Sequence, residues 1–121
     1  MGRPREFDIE SAVTAATKLF VDEGYEGCSM DRLVQATGVH RGSLYATFGS
    51  KRGIFVECLR ASIVQGADRS ELLLVALGEL AARDEEVRTL CAQALTVWGE
   101  DAAQELGRRL LARAGLNEGS P

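Results

Sequence analysis

Arg41, Gly42, Ser43, Tyr45 and Thr47 fall within seven residues of one another, and each suits one kind of contact with duplex DNA. A guanidinium can give two parallel hydrogen bonds to guanine and a serine hydroxyl can serve several bases, while a glycine between them lets the backbone approach the groove floor. Arg41, Gly42 and Ser43 are therefore the expected base readers. The competing reading of Arg41 is a solvated charge or a phosphate contact, since one turn of rotation decides which it becomes. The hydroxyls of Tyr45 and Thr47 suit phosphate oxygens, with a ring packed on the scaffold and a capping threonine as alternatives. Ser29 and Lys51 stand at expected helix starts, where free amides and the helix dipole favour an anion, so both are expected phosphate ligands. Arg3 and Arg5 flank Pro4 in a stretch that cannot be helical. A basic arm of this kind suits an adjacent minor groove, and an untethered tail is its alternative.

These residues need elements to hold them. Ser29 is a good N-cap, Leu33 and Val34 supply an apolar face, and Gly38 is suited to the left-handed residue that reverses the chain, which predicts a helix over 30–37. A second helix is expected over 40–47, where Leu44 and Phe48 bury one side and leave the reading residues on or beside the other. Ahead of the pair, Asp8 can cap a helix in which Ile9, Ala12, Val13, Ala16, Leu19 and Phe20 recur at helical spacing, ending at Gly24. Behind it, Ser50 can cap a longer helix carrying Ile54, Phe55, Cys58, Leu59 and Ile63 to about Gly66. Two short helices across a glycine turn, followed at once by a third helix start, make a helix-turn-helix whose second helix enters a DNA groove.

Residues 8–59 resemble the DNA-binding domain of the TetR family of bacterial transcriptional repressors. The resemblance rests on Phe20, Gly24, Tyr25, Ser29-Met30, Gly38-Val39, Ser43-Leu44-Tyr45, Phe48 and Ser50-Lys51. It departs at His40, where the family often has Ser or Thr, and at Arg52-Gly53, where an acidic residue and a helix former are usual. The resemblance implies an all-α fold with a three-helix DNA-binding head, a long linker helix and a regulatory body. It also implies that positions matching Tyr45 and Thr47 meet phosphates. A full body of the family has five or more helices, the last two forming a four-helix bundle with their twins around a ligand-binding interior. The 62 residues after Leu59 are too few for pocket and bundle together, which is expected of a short form or fragment, or of a chain in which residues 72–114 have taken over dimerisation.

The second half is expected to break near residues 66–71 and then to form a helix from Leu72 to Ala81 with almost no polar face. Such a helix must be buried, in part against a second chain. Asp84 can cap a final helix whose stripe of Val87, Leu90, Cys91, Ala94, Leu95, Trp98, Ala102, Leu106 and Leu110 outlasts the core of so small a body. Trp98 is the expected centre of a dimer interface or wall of a ligand pocket, with plain core packing as the alternative. The division expected is a head over 1–60, a truncated helical regulatory and dimerisation segment over 61–114, and a disordered tail over 115–121.

Composition limits the function classes. The chain has 121 residues and a net charge of −4. Residues 1–60 hold eight basic and eight acidic side chains and residues 61–121 hold six and ten, so the deficit lies in the second half. An acidic half turned away from DNA is compatible with binding through a locally basic surface. There is no apolar run behind the N-terminus and none long enough to span a bilayer, so a cytoplasmic protein without membrane contact is expected. Cys28, Cys58 and Cys91 lack metal-ligand spacing, and no cofactor or metal is expected. They read as reduced, partly buried thiols. Cys28, next to helix ends that favour thiolate, is the candidate redox site. No nucleophile has a histidine partner, so enzyme chemistry is not expected. The function expected is a repressor acting as a homodimer on a palindromic operator in double-stranded DNA, with a small apolar effector as a further partner. The rival is a truncated chain that pairs with a full-length regulator or another protein and has no operator of its own.

Overall fold

A computed structural model of the chain describes residues 7–65 and 69–116. Among the described residues it contains seven α-helices and one 3-10 turn, with no strand. They are α1 (Ile9–Glu23), α2 (Met30–Thr37), α3 (Arg41–Phe48), α4 (Lys51–Gln65), α5 (Arg69–Glu79), the turn Ala81–Arg83, α6 (Glu85–Trp98) and α7 (Ala102–Arg113). Of the break expected near residues 66–71, residues 66–68 lie outside the described residues and α5 already starts at Arg69. Of the tail expected over 115–121, residues 117–121 lie outside them, while the N–H groups of Gly115 and Leu116 bond back to Ala112 O and Leu111 O.

One apolar core connects these helices. Ala12, Ala16 and Phe20 recur every four residues, so they share the inner face of α1, where they meet Leu33 of α2, Leu44 of α3, and Phe55, Cys58 and Leu59 of α4. The rings of Phe20 and Phe55 meet edge to face at 5.1 Å, and Tyr25 completes the cluster at 5.4 Å from Phe55. The same core continues into Leu72, Leu73 and Ala76 of α5 and Leu90 and Cys91 of α6. The expected boundary at residue 60 falls inside α4, where one helix serves both halves.

The second half departs from expectation in two ways. First, α5 packs against α1, α4, α6 and α7 of its own chain. Leu72, Leu73, Val75 and Ala76 are buried there without a second copy, because helices on several sides supply the apolar surroundings that its sequence demands. Second, the long final helix is two helices. Gly99 adopts φ +105° and its N–H closes α6 on Leu95 O at 3.0 Å, after which α7 starts at Ala102. Trp98 and Ala102 are four residues apart, so the apolar spacing runs through the break without registering it. Past the break, α7 folds back onto the chain: Arg113 meets Glu71 at 3.1 Å and the carbonyl of Val21 at 3.2 Å. Leu106 is thereby buried, whereas Leu110, the end of the expected stripe, and its neighbour Leu111 stay outward. Trp98 is half-buried and packs against the common core, the alternative that sequence alone left open.

Candidate nucleic-acid interface

Local capping builds the reading pair. Ser29 Oγ accepts the N–H of Arg32 at 3.1 Å and starts α2. Its hydroxyl proton remains available to an external acceptor. Gly38 turns left-handed at φ +72°, and its N–H meets Val34 O at 2.9 Å. Thr37 Oγ1 donates to Leu33 O at 2.7 Å and accepts from the Val39 N–H at 3.2 Å, which stiffens the turn, and Val39 is buried beneath it. His40 occupies the cap of α3 without a side-chain bond to the helix.

The two faces of α3 differ sharply. Leu44 is fully buried and Phe48 packs against the core, whereas Arg41, Gly42, Tyr45, Ala46 and Thr47 are exposed. Positions 41, 42, 45 and 46 recur at helical spacing and form one open strip. Ser43 is half-buried at its edge. A Cβ at Gly42 would meet open space, so nothing within the chain demands glycine there. The Arg41 guanidinium pairs with Asp31 of α2, both side chains being largely exposed. This pairing engages one Nη group of Arg41 and leaves the other N–H donors of the guanidinium for a further acceptor.

The start of α4 borders the strip. Ser50 Oγ accepts the Gly53 N–H at 2.9 Å. Gly53 is required by packing, because a Cβ there would overlap the carbonyl oxygen of Phe48. Lys51 is half-buried, and its Nζ donates to the carbonyls of Tyr25 and Cys28 at 3.0 and 3.1 Å while lying 4.3 Å from the centre of the Tyr25 ring. Two of its three donors are thus engaged inside the chain, so the residue expected from sequence as a phosphate ligand has a structural task as well. Arg3 and Arg5 lie outside the described residues.

The redox expectation for Cys28 is corrected. Its thiol is fully buried, and burial pushes its pKa up, a shift that the Lys51 charge only partly opposes. A raised pKa disfavours the thiolate that oxidation needs. Burial likewise holds Cys58 at about 12 and Cys91 at about 11.

Sequence reasoning missed the residues that join this head to the second half. Arg52 forms a two-pronged contact with the Asp84 carboxylate at 2.6 and 2.9 Å and reaches Glu86 at 2.9 Å, and Arg60 reaches Glu86 at 2.6 Å. Asp84 at the same time caps α6 through the Val87 N–H at 3.1 Å. The Arg52 guanidinium holds the Asp84 carboxyl at about 2. The only sequence signal was that Arg52 stands where an acidic residue is usual.

A three-helix head that presents the second helix of a glycine-turned pair defines the helix-turn-helix class. Residues 12–58 match the family model described as bacterial regulatory proteins, tetR family. Over these residues the chain is of the TetR-family type, and the relatives it resembles are transcriptional regulators. It is 42% identical over 73 residues to the HTH-type transcriptional repressor ComR of Escherichia coli K12, covering 60% of this chain and 35% of the relative. It is 43% identical over 58 residues to the E. coli repressor BdcR, covering 48% and 29%. The matches to these curated relatives therefore span only about a third of their length. Among solved structures, the chain is similar to a cysteine-substituted TetR family regulator, CifR, in complex with 26-base-pair operator DNA. The TM-score is 0.53 and the identity 26%, over 98% of this chain and 79% of that one. No helix among the described residues is long and apolar enough to cross a membrane.

Proposed function

We propose that this chain is a transcriptional repressor that binds double-stranded DNA through α2 and α3, as a homodimer on a palindromic operator. The observation that carries the reading is the open strip of α3, with Arg41, Gly42, Tyr45 and Ala46 exposed directly opposite the buried Leu44. Arg41, Gly42 and Ser43 are assigned to base edges. Ser29, Tyr45 and Thr47 are assigned to phosphates, Ser29 through its unused hydroxyl proton. Lys51 joins them through its remaining donor and its charge at the start of α4. Arg3 and Arg5 are assigned to the adjacent minor groove. The repressor names of ComR and BdcR and the operator complex of CifR support this reading.

The homodimer is assigned to the outward side of the second half. Leu110 and Leu111 on α7 are 56% and 45% exposed, and Val97 on α6 is 68% exposed, an apolar surface that a second copy would cover. A small apolar effector has a candidate location in a groove of about 830 Å³ between α1 and α4, lined by Val13, Thr17, Val21, Arg60, Ala61 and Glu71 among others. Trp98 does not line it.

A mobility-shift assay of the pure chain on duplexes selected from a random library tests the function. Specific retention that weakens steeply with salt is the expected result. A chain that selects no duplex alone, yet shifts one when mixed with a longer relative, would replace this reading with the interaction-partner role. Leu110→Glu with Leu111→Glu should yield monomers of unchanged helical content with weakened operator binding. Sedimentation of the wild type as a monomer at micromolar concentration would remove the homodimer.

A further inference from the structure

The turn from Gly24 to Ser29, which connects α1 to the reading pair, is gripped from both sides by residues distant in sequence. On its amide side stands Glu79, at the end of α5. Glu79 Oε1 accepts the N–H of Tyr25 at 3.2 Å and that of Glu26 at 2.8 Å. On its carbonyl side Lys51 Nζ takes Tyr25 O and Cys28 O. Gly24 has φ +81°, and a Cβ at that position would lie 2.7 Å from Glu79 Oε2, so the carboxylate fills the space a side chain would occupy. Arg83, just beyond α5, adds a looser pair with Glu26 at 3.7 Å.

We propose that Glu79 is a positioning residue for DNA reading. It lies outside the helix-turn-helix and outside residues 12–58 that match the family model, and it acts through the turn rather than by touching DNA. The inference rests on the assignment of α2 and α3 as the reading pair. Hydrogen bonds to an ionised acceptor are stronger than neutral ones, and two of them from adjacent amides fix both the place and the direction of the turn. α2 starts a few residues later. With a helix of eight residues about 12 Å long, a tilt of about 10° at the turn moves its far end by about 2 Å. That displacement is enough to break a two-pronged base contact, whereas flexible phosphate contacts can follow it. Glu79 therefore governs preference for the operator over other DNA more than attraction to DNA in general. Because it belongs to α5, any shift of α5 reaches the reading pair through these two hydrogen bonds.

The test uses the full chain, a duplex selected by the wild type, and a random duplex of equal length, with Glu79→Ala and Glu79→Gln compared. Glu79→Gln keeps an oxygen that can accept both amides. Glu79→Ala is expected to lose about tenfold or more in operator affinity, with random-duplex affinity and its salt slope unchanged. Its Tyr25 and Glu26 amides should exchange hydrogen about tenfold faster while the amides of Phe20 and Phe55 do not. Glu79→Gln should stay near wild type in every readout. The proposal is overturned if Glu79→Ala binds operator like the wild type, if it loses operator and random duplex alike, or if Glu79→Gln fails as badly as Glu79→Ala. A wild-type chain that selects no duplex overturns the DNA-reading assignment as well. Operator binding that survives Glu79→Ala removes only the role of Glu79.

Discussion

The reading pair and the second half are built from the same ingredient, short helices around a shared apolar core, but they are specified differently. Residues 29–50 carry their own instructions. Ser29 caps within three residues and Gly38 reverses the chain next to the carbonyl it bonds, while Leu44 buries the face opposite the exposed strip. In the second half, α5 is placed by contacts with four other helices, and α7 by Arg109 and Arg113 reaching back 38 and 42 residues to Glu71. Locally capped elements keep their form wherever they sit. Elements placed at long range depend on the whole chain, and the head in turn depends on them through Glu79 and Asp84.

The largest effect that separates or joins the two regions is a core truncation in each. Leu33→Ala in the head and Leu72→Ala in α5 both remove a fully buried side chain, and each should cost about 2–5 kcal/mol. Because one core spans both, each variant should unfold in a single transition with a lowered midpoint, followed by circular dichroism in urea. Two separate transitions in Leu72→Ala, with the head melting as in the wild type, would show that the halves are independent.

A smaller effect sharpens the division of labour at the interface. Arg41→Ala should cost about 1–3 kcal/mol of operator affinity and relax preference at one base position. Lys51→Ala should weaken binding to all duplexes and lower the salt slope by about one, and it should also lower the melting temperature, because Tyr25 O and Cys28 O lose their donor. A Lys51→Ala variant that keeps the salt slope would contradict the phosphate role, and one that keeps the wild-type melting temperature would contradict the structural one.

The smallest effect lies at the joint between the regions. The Asp84 carboxyl titrates at about 2 in the folded chain, against about 3.9 when unfolded. A carboxyl whose pKa is depressed by folding adds stability above the unfolded value and loses it as pH falls toward the folded value. The Asp84 contribution is therefore complete above about pH 5 and falls away progressively as pH drops through about 2. Asn caps helices as well as Asp, so Asp84→Asn should keep α6 capped and remove only the pairing with Arg52. Since Arg52 is 43% exposed, the loss at neutral pH should be below about 1 kcal/mol. The variant should show a shallower fall in stability between pH 4 and pH 2 than the wild type, measured by urea midpoints. Parallel acid limbs would rule out Asp84 as a source of that dependence.

The head was legible because its signals act over three or four residues. Caps, a left-handed glycine and apolar positions at helical spacing each name their partner within one turn of chain. α2 matches its expected range, and α1 and α4 match closely. The cap at Asp8 was legible by type but not by bonding, since its carboxylate accepts from the Ser11 hydroxyl at 2.7 Å and makes no cap bond to the helix. The break at Gly99 was hidden because apolar spacing cannot distinguish one helix from two that restart in phase.

By itself, the sequence determined that this chain is helical, the extent of α2, that of α3 to within one residue (41–48 against an expected 40–47), and that Arg41, Gly42, Tyr45 and Thr47 stay clear of the core. Those properties follow from interactions between near neighbours, whose geometry the helix itself imposes. Only the tertiary structure decided that α5 is buried within its own chain, that Leu106 turns inward, and that the Cys28 thiol is buried. It also decided that Lys51, Glu79 and Arg52 hold the turn and the start of α4. Each of these depends on a partner more than 20 residues away, brought into reach by the packing of one common core, and no local pattern encodes that distance.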